Sequence, residues 1–181
     1  MVALRALRHP ASDIFEIVSR SVEETEQLGE RLGKCLSAGD VVGLVGELGS
    51  GKTTLIRGLA KGLGIEPDQV RSPTFVLLRE YPSKIPLVHI DGYRLDSTQS
   101  VVWLDVDWLF SPKKITVIEW ADRFSACLPE DYLEICLAHK TTNQRSIRLV
   151  GHGPRSQQLV DALKENLHGQ AAGSRPQALG A

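Results

Sequence analysis

No stretch of this chain restricts its fold as strongly as Gly46-Glu47-Leu48-Gly49-Ser50-Gly51-Lys52-Thr53. It fits, without mismatch, the pattern of a glycine, four residues, then Gly-Lys and a hydroxyl residue, which reads as a phosphate-binding loop. Small residues let successive backbone N–H groups turn inward around a phosphate, Lys52 supplies a mobile cation, and Thr53 offers a hydroxyl to magnesium. The flanks agree. Val41-Val42-Gly43-Leu44-Val45 is a short apolar run suited to a buried strand, and Leu55, Ile56, Leu59, Ala60 and Leu63 recur at helical spacing up to a stop at Gly64. Strand, glycine loop and helix follow in the order phosphate binding needs, which favours that reading over a structural glycine turn.

Two further apolar runs end in acids. Ile85-Pro86-Leu87-Val88-His89-Ile90-Asp91 and Ile115-Thr116-Val117-Ile118-Glu119-Trp120 both read as buried strands. Nucleotide-binding sheets place ligands off the carboxyl ends of their strands, so Asp91 and Glu119 are in place to reach a metal or a water beside Lys52 and Thr53. Asp91 also has a plainer reading as a turn residue before Gly92.

The remaining chain supplies the surrounding elements. Residues 1–12 read as a flexible leader, ending in His9-Pro10-Ala11-Ser12. Phe15 to Arg20 alternates like a short strand, and Ser21 with Glu24 forms a capping box for a helix whose buried stripe is Val22, Leu28, Leu32 and Leu36. Glu66-Pro67-Asp68 breaks the loop helix. Arg71-Ser72-Pro73-Thr74-Phe75 then leads into an extended run, Val76 to Tyr81, and is either a switch-like loop or a strand entry whose hydroxyls cap backbone groups. Thr98 to Phe110 is densely apolar and reads as mainly helix, with Trp103 and Trp108 as core residues. Tyr132–Ala138 and Ser146–Val150 alternate as strands of a hairpin, His152 falls in a turn, and Leu159, Leu163 and Leu167 mark a last helix. From Gly169 the composition is that of a disordered tail. The chain thus divides into a leader (1–12), one domain (13–168) and a tail (169–181). The alternation of strands and helices predicts an α/β, three-layer P-loop NTPase-like fold, with a mostly parallel central sheet flanked by helices.

At 181 residues one such domain has room for a full core. A formal charge of −1 gives no electrostatic reason for strong unaided binding to nucleic acid. Cys35, Cys127 and Cys136 are odd in number and lack metal-ligand spacing, so they read as reduced packing residues in a cytoplasmic protein. No apolar run approaches a membrane span, and the N-terminal residues lack a secretory hydrophobic region.

Several motifs together make the chain resemble the bacterial TsaE family, the small ATPase of tRNA threonylcarbamoyladenosine biosynthesis. They are the Gly46 to Thr54 loop, Ser72-Pro73-Thr74-Phe75 with Glu80-Tyr81 behind it, His89-Ile90-Asp91-Gly92-Tyr93-Arg94-Leu95, and Ile118-Glu119-Trp120. The resemblance runs from about Ile14 to Leu167. It implies ATP or ADP held by Glu47, Leu48, Gly49, Ser50, Gly51, Lys52, Thr53 and Thr54, with Thr25, Trp120 and Asp122 near the nucleotide. It implies Mg²⁺ held by Thr53 and Glu119, and Asp91 as a second acid that orients water or supports the metal, the roles of the two acids being exchangeable. It makes Ser72 to Thr74 a mobile switch. It also implies partners, TsaD and TsaB, with tRNA reached only through that complex and no membrane involved. The chain departs from the family pattern at Gly92, where a larger apolar residue is usual, and over Ser100 to Asp107, which is more apolar than usual.

Three functions compete on this reading. The first is a magnesium-dependent ATPase using Lys52, Asp91 and Glu119. The second is a small-molecule kinase, disfavoured because Arg94, Arg123, Arg145 and Arg148 are dispersed and no lid-like insertion is evident. The third is a nucleotide-gated interaction module.

Overall fold

Four runs of the chain are apolar on both faces, and such strands are stable only when covered from both sides. In the computed structural model, which describes residues 14–73, 76–94, 105–125 and 127–173, they form the middle of a seven-stranded sheet. The elements are β1 (Phe15–Ser19), α1 (Val22–Cys35), β2 (Val41–Val45), α2 (Lys52–Gly62), β3 (Leu78–Tyr81), β4 (Leu87–Asp91), α3 (Val106–Leu109), β5 (Ile115–Glu119), β6 (Leu133–His139), β7 (Arg145–Gly151) and α4 (Pro154–Gly173). The sheet order is β1-β7-β6-β2-β5-β4-β3. Its centre, β6-β2-β5-β4, is parallel, and antiparallel pairs close both sides: β4 with β3, β6 with β7, and β7 with β1. The α/β fold expected from the sequence is present, with the predicted hairpin forming the antiparallel flank.

Alternation along each strand splits the core. Val42, Leu44, Leu87, Ile115, Val117 and Ile135 face α1, α2 and α4. Val41, Val88, Ile90 and Ile118 pack on the opposite side with Leu109 of α3 and Ala121 of the 3-10 turn Ala121–Phe124. Residues 95–104 lie outside the described residues, so the helix expected over Thr98 to Phe110 is represented by α3 alone. Trp103 falls in that range. Trp108, expected in the core, is instead 38 % exposed. A four-residue helix buries one side chain, here Leu109, and leaves the Trp108 ring at the surface beneath Lys114 Nζ, 3.4 Å from its centroid.

α1 begins at the expected cap, with Ser21 Oγ accepting the Glu24 N–H at 3.1 Å, while the Glu24 carboxylate takes the Arg20 N–H at 2.7 Å. Val22 is not part of the buried stripe: it is 49 % exposed. It lies a turn ahead of the first close contacts between α1 and α2, which begin at Glu26 and Gly29. The stripe is completed instead by Thr25, Gly29 and Gly33. Opposite it on α2 are Gly58 and Gly62, and the two helices meet backbone to backbone. A Cβ on Gly58 would stand 2.0 Å from the Glu26 carbonyl oxygen, and one on Gly33 would stand 2.2 Å from that of Leu59.

At the far side, Asp131 receives the Arg155 and Ser156 N–H groups at 2.8 and 2.9 Å, which caps α4. The Arg155 guanidinium grips buried Asp40 through two bonds of 2.9 and 2.7 Å, tying α4 to the residue before β2. α4 runs on to Gly173, beyond the Gly169 at which the composition changes. Among the described residues no helix is long and apolar enough to cross a membrane, and all three cysteines are unpaired thiols.

Candidate phosphate-binding site

Because β2, β5 and β4 are parallel neighbours, their carboxyl ends come out on one edge of the sheet. Register pairs Leu44 with Glu119 and Glu119 with Asp91, so the glycine loop after β2 emerges beside both acids. Gly46, Gly49 and Gly51 all have positive φ, at 152°, 76° and 106°. Gly46 has a second reason to be glycine: a Cβ there would meet the Leu137 carbonyl oxygen at 2.3 Å. Gly51 caps α2, which therefore starts at Lys52 with its N–H groups directed at the loop.

A cleft of 370 Å³ opens over this edge, lined by Leu48, Gly49, Gly51, Lys52, Thr53, Thr54, Ser72, Asp91, Tyr93, Glu119 and Trp120. Lys52 is 4 % exposed. Its ammonium donates to the carbonyls of Gly46 and Glu47 at 2.7 and 2.8 Å and lies 3.9 Å from the centre of the Trp120 ring. Burial pushes the Lys52 ammonium below its ordinary pKa, against the upward pull of Glu119, Asp91 and Asp122. A buried cation held by carbonyl dipoles and a ring face is suited to receive an anion.

Thr53 Oγ1 donates to Glu119 Oε1 at 2.9 Å. Asp91 is engaged differently: the Ser72 hydroxyl donates to its Oδ2, and the Tyr93 N–H to Oδ1 at 2.9 Å. Thr53 and Glu119 thus form one pair, and Asp91 is joined to the segment whose hydroxyls the sequence singles out. Thr74 and Phe75 of that segment lie outside the described residues. Trp120 takes a left-handed backbone, φ 58° and ψ 45°, a conformation costly for a bulky residue. It turns the ring into the cleft beside Tyr93, 5.1 Å between centroids, with the Arg123 guanidinium donating to the Tyr93 carbonyl. Gly92, buried, starts the short turn Gly92–Arg94 that carries Tyr93.

Most of the sequence-predicted residues converge here; three stand apart, the first being Ser50, which is fully buried within the loop, its Oγ 2.8 Å from where a Gly46 Cβ would lie. Thr25 is fully buried, its hydroxyl bonded to the Ser21 carbonyl at 3.1 Å and to Ser19 Oγ at 2.7 Å. Its methyl lies 3.9 Å from where a Gly51 Cβ would be, so it abuts the loop from behind. Asp122 is exposed and does not line the cleft, its charge pulling the Lys52 pKa upward less than Glu119 and Asp91 do. Glu47 meets Lys52 through its carbonyl, and Leu48 is 78 % exposed at the mouth. No sequence pattern marks Tyr93 or Arg123 as site residues. His89 carries a signal, since its place two residues before Asp91 on a strand puts both on one face. Arg145 also comes close, its Nε 3.8 Å from the Gly51 Cβ position. His152 lies elsewhere, stacked on Tyr132 with centroids 4.2 Å apart.

The donors present fit a magnesium–phosphate ligand. Among the described residues no three His, Cys, Asp or Glu side chains converge to bind a metal by themselves. One hydroxyl and one carboxylate beside a phosphate loop are what Mg²⁺ uses when phosphate oxygens and waters complete its shell.

The family model described as threonylcarbamoyl adenosine biosynthesis protein TsaE matches residues 19–147. Relatives named tRNA threonylcarbamoyladenosine biosynthesis protein TsaE include that of Streptomyces coelicolor, 43 % identical over 137 residues and covering 71 % of this chain and 91 % of the relative. That of Treponema pallidum is 38 % identical, covering 72 % and 96 %, and that of Bacillus subtilis 34 % identical, covering 80 % and 90 %. The crystal structure of Bacillus subtilis YdiB superposes with a TM-score of 0.74 at 28 % identity, covering 87 % of this chain and 99 % of that one.

Proposed function

The chain belongs to the TsaE family, a family of tRNA threonylcarbamoyladenosine biosynthesis, and from that premise we propose that it is a magnesium-dependent ATPase. It acts in the cytoplasm with TsaD and TsaB, supporting the threonylcarbamoyl modification of adenosine next to the tRNA anticodon without transferring the group itself. The observation that carries the ATPase reading is the Thr53–Glu119 bond beside the buried Lys52 ammonium, with Asp91 on the neighbouring strand end.

In this reading the backbone N–H groups of Glu47 to Thr54 cradle the phosphates, and Lys52 exchanges its carbonyl partners for phosphate oxygens. Thr53 and Glu119 would hold Mg²⁺, whose chemistry is to neutralise charge on the phosphates. Asp91, engaged by Ser72 rather than by Thr53, is left to orient the attacking water. Its bond to Ser72 links the site to the segment that would sense the terminal phosphate. Catalysis is then positioning and charge stabilisation, with no covalent intermediate. Trp120 and Tyr93 supply ring faces at the rim.

The test is phosphate release from ATP by the purified protein with TsaD, TsaB and Mg²⁺. Release above that of TsaD and TsaB alone, lost in Lys52→Ala, supports the reading; no release overturns it. If Glu119→Gln, defective in turnover, still supports tRNA modification while Lys52→Ala does not, nucleotide binding rather than hydrolysis is the working event.

A further inference from the structure

His89 is fully buried in the middle of β4, between β3 and β5, and does not line the cleft. Its Nε2 lies 3.0 Å from Glu119 Oε1, the oxygen that Thr53 Oγ1 reaches at 2.9 Å. Its other nitrogen, Nδ1, is buried and has no hydrogen-bond partner among the described residues. Tyr81 backs the ring, 6.4 Å between centroids, and is anchored in turn by bonds between its hydroxyl and the Arg71 main chain. An apolar side chain would fill this space without burying an unsatisfied nitrogen. What the imidazole adds is one N–H directed at a carboxylate of the site, with its place fixed by the strands on either side.

We infer that His89 is a positioning residue for Glu119: with Thr53 it holds Oε1 from behind, so that Oε2, which takes part in neither bond, is presented to the divalent cation. This inference rests on the magnesium–nucleotide reading above. It names a function for a side chain that never touches the ligand, as partners behind metal-binding groups do elsewhere, where their loss costs about 10- to 100-fold in metal affinity.

Calorimetric titration of ADP into wild type, His89→Leu, His89→Gln and His89→Asn, with and without Mg²⁺, tests it. The readout is the gain in ADP affinity on adding Mg²⁺, with circular dichroism and melting curves to establish folding. Wild type should show a gain. His89→Leu should lose about tenfold or more of it while its metal-free ADP affinity stays within about twofold of wild type. His89→Gln places an amide N–H where Nε2 stood and should keep most of the gain; His89→Asn, with the same chemistry on a shorter stem, should not. A folded His89→Leu with the full gain overturns the inference, and so does a Gln variant as defective as Asn, or failure of all three to fold, which would make the residue a packing element. A wild type that binds ADP without any gain from Mg²⁺ also overturns it. A wild type that binds no ADP at all removes the nucleotide reading itself.

Discussion

Gly58→Ala puts the packing of α1 on α2, the helix that follows the glycine loop, to a quantitative test. A Cβ at this position would lie 2.0 Å from the Glu26 carbonyl oxygen and 2.7 Å from its carbon, where ordinary contact begins at 3.4 Å. The obstacle is backbone inside a helix, so it cannot swing aside as a side-chain tip would. α1 and α2 must separate by about 1 Å or more, which also opens the close contacts at Gly29, Gly33 and Gly62. Overpacking of this kind costs about 3 kcal/mol, or about 6–12 °C in Tm for a chain of this size. Gly64→Ala is the control: none of the described residues comes within 4 Å of its Cβ position, and the left-handed backbone at φ 78° is what opposes the change, at about 1 kcal/mol. Urea and thermal unfolding of the two variants measure the difference. If Gly58→Ala is no less stable than Gly64→Ala, the helices are not locked by their glycines and the reasoning fails.

Three other outcomes are expected. Arg155→Ala leaves the buried Asp40 carboxylate without its two guanidinium bonds and should cost about 2–3 kcal/mol in urea unfolding; Asp40→Ala in the Arg155→Ala background should then add much less than it costs alone. Asp91→Asn should lower kcat for ATP hydrolysis by more than tenfold, on the order expected for losing a general base or water-orienting group, with nucleotide Kd changed less than about threefold; an equal loss in both would make Asp91 a binding residue. The third concerns pH. The Lys52 ammonium sits below its ordinary value of 10.5, chiefly through burial. Between the lowered native value and 10.5 the unfolded chain retains a proton that the native chain has released, so this group's contribution to stability rises with pH across that window. Urea unfolding of wild type should therefore gain on that of Lys52→Met as pH is raised toward 10.5, and a flat or falling difference contradicts the burial argument.

Much of this site is legible in the sequence because its parts are local. A glycine loop between an apolar run and a helical repeat announces its own geometry, and an acid at the end of an apolar run announces a strand-end carboxylate. The period of two along β4 would also have placed His89 on the Asp91 face. What the sequence withholds depends on which strands become neighbours: the Thr53–Glu119 bond spans 66 residues and the Ser72–Asp91 bond 19. The same holds for helix packing. Gly29 and Gly33 look like weak points in a helix until Gly58 and Gly62 are seen opposite them, and the stripe reading that included Val22 failed because a helix buries only the turns that meet a partner. Resemblance ties Trp120 to the nucleotide, but its left-handed backbone, which aims the ring at Lys52, is visible only in the folded chain.

Whether the Gly46 to Thr53 edge binds a magnesium nucleotide through Lys52 is decided by titrating ATP, with Mg²⁺ present, into wild type and Lys52→Ala in the presence of TsaD and TsaB. Removing a charge that bonds directly to phosphate should weaken affinity by about 10- to 100-fold, with the variant still folded by circular dichroism. Equal affinity in the two proteins would contradict the account.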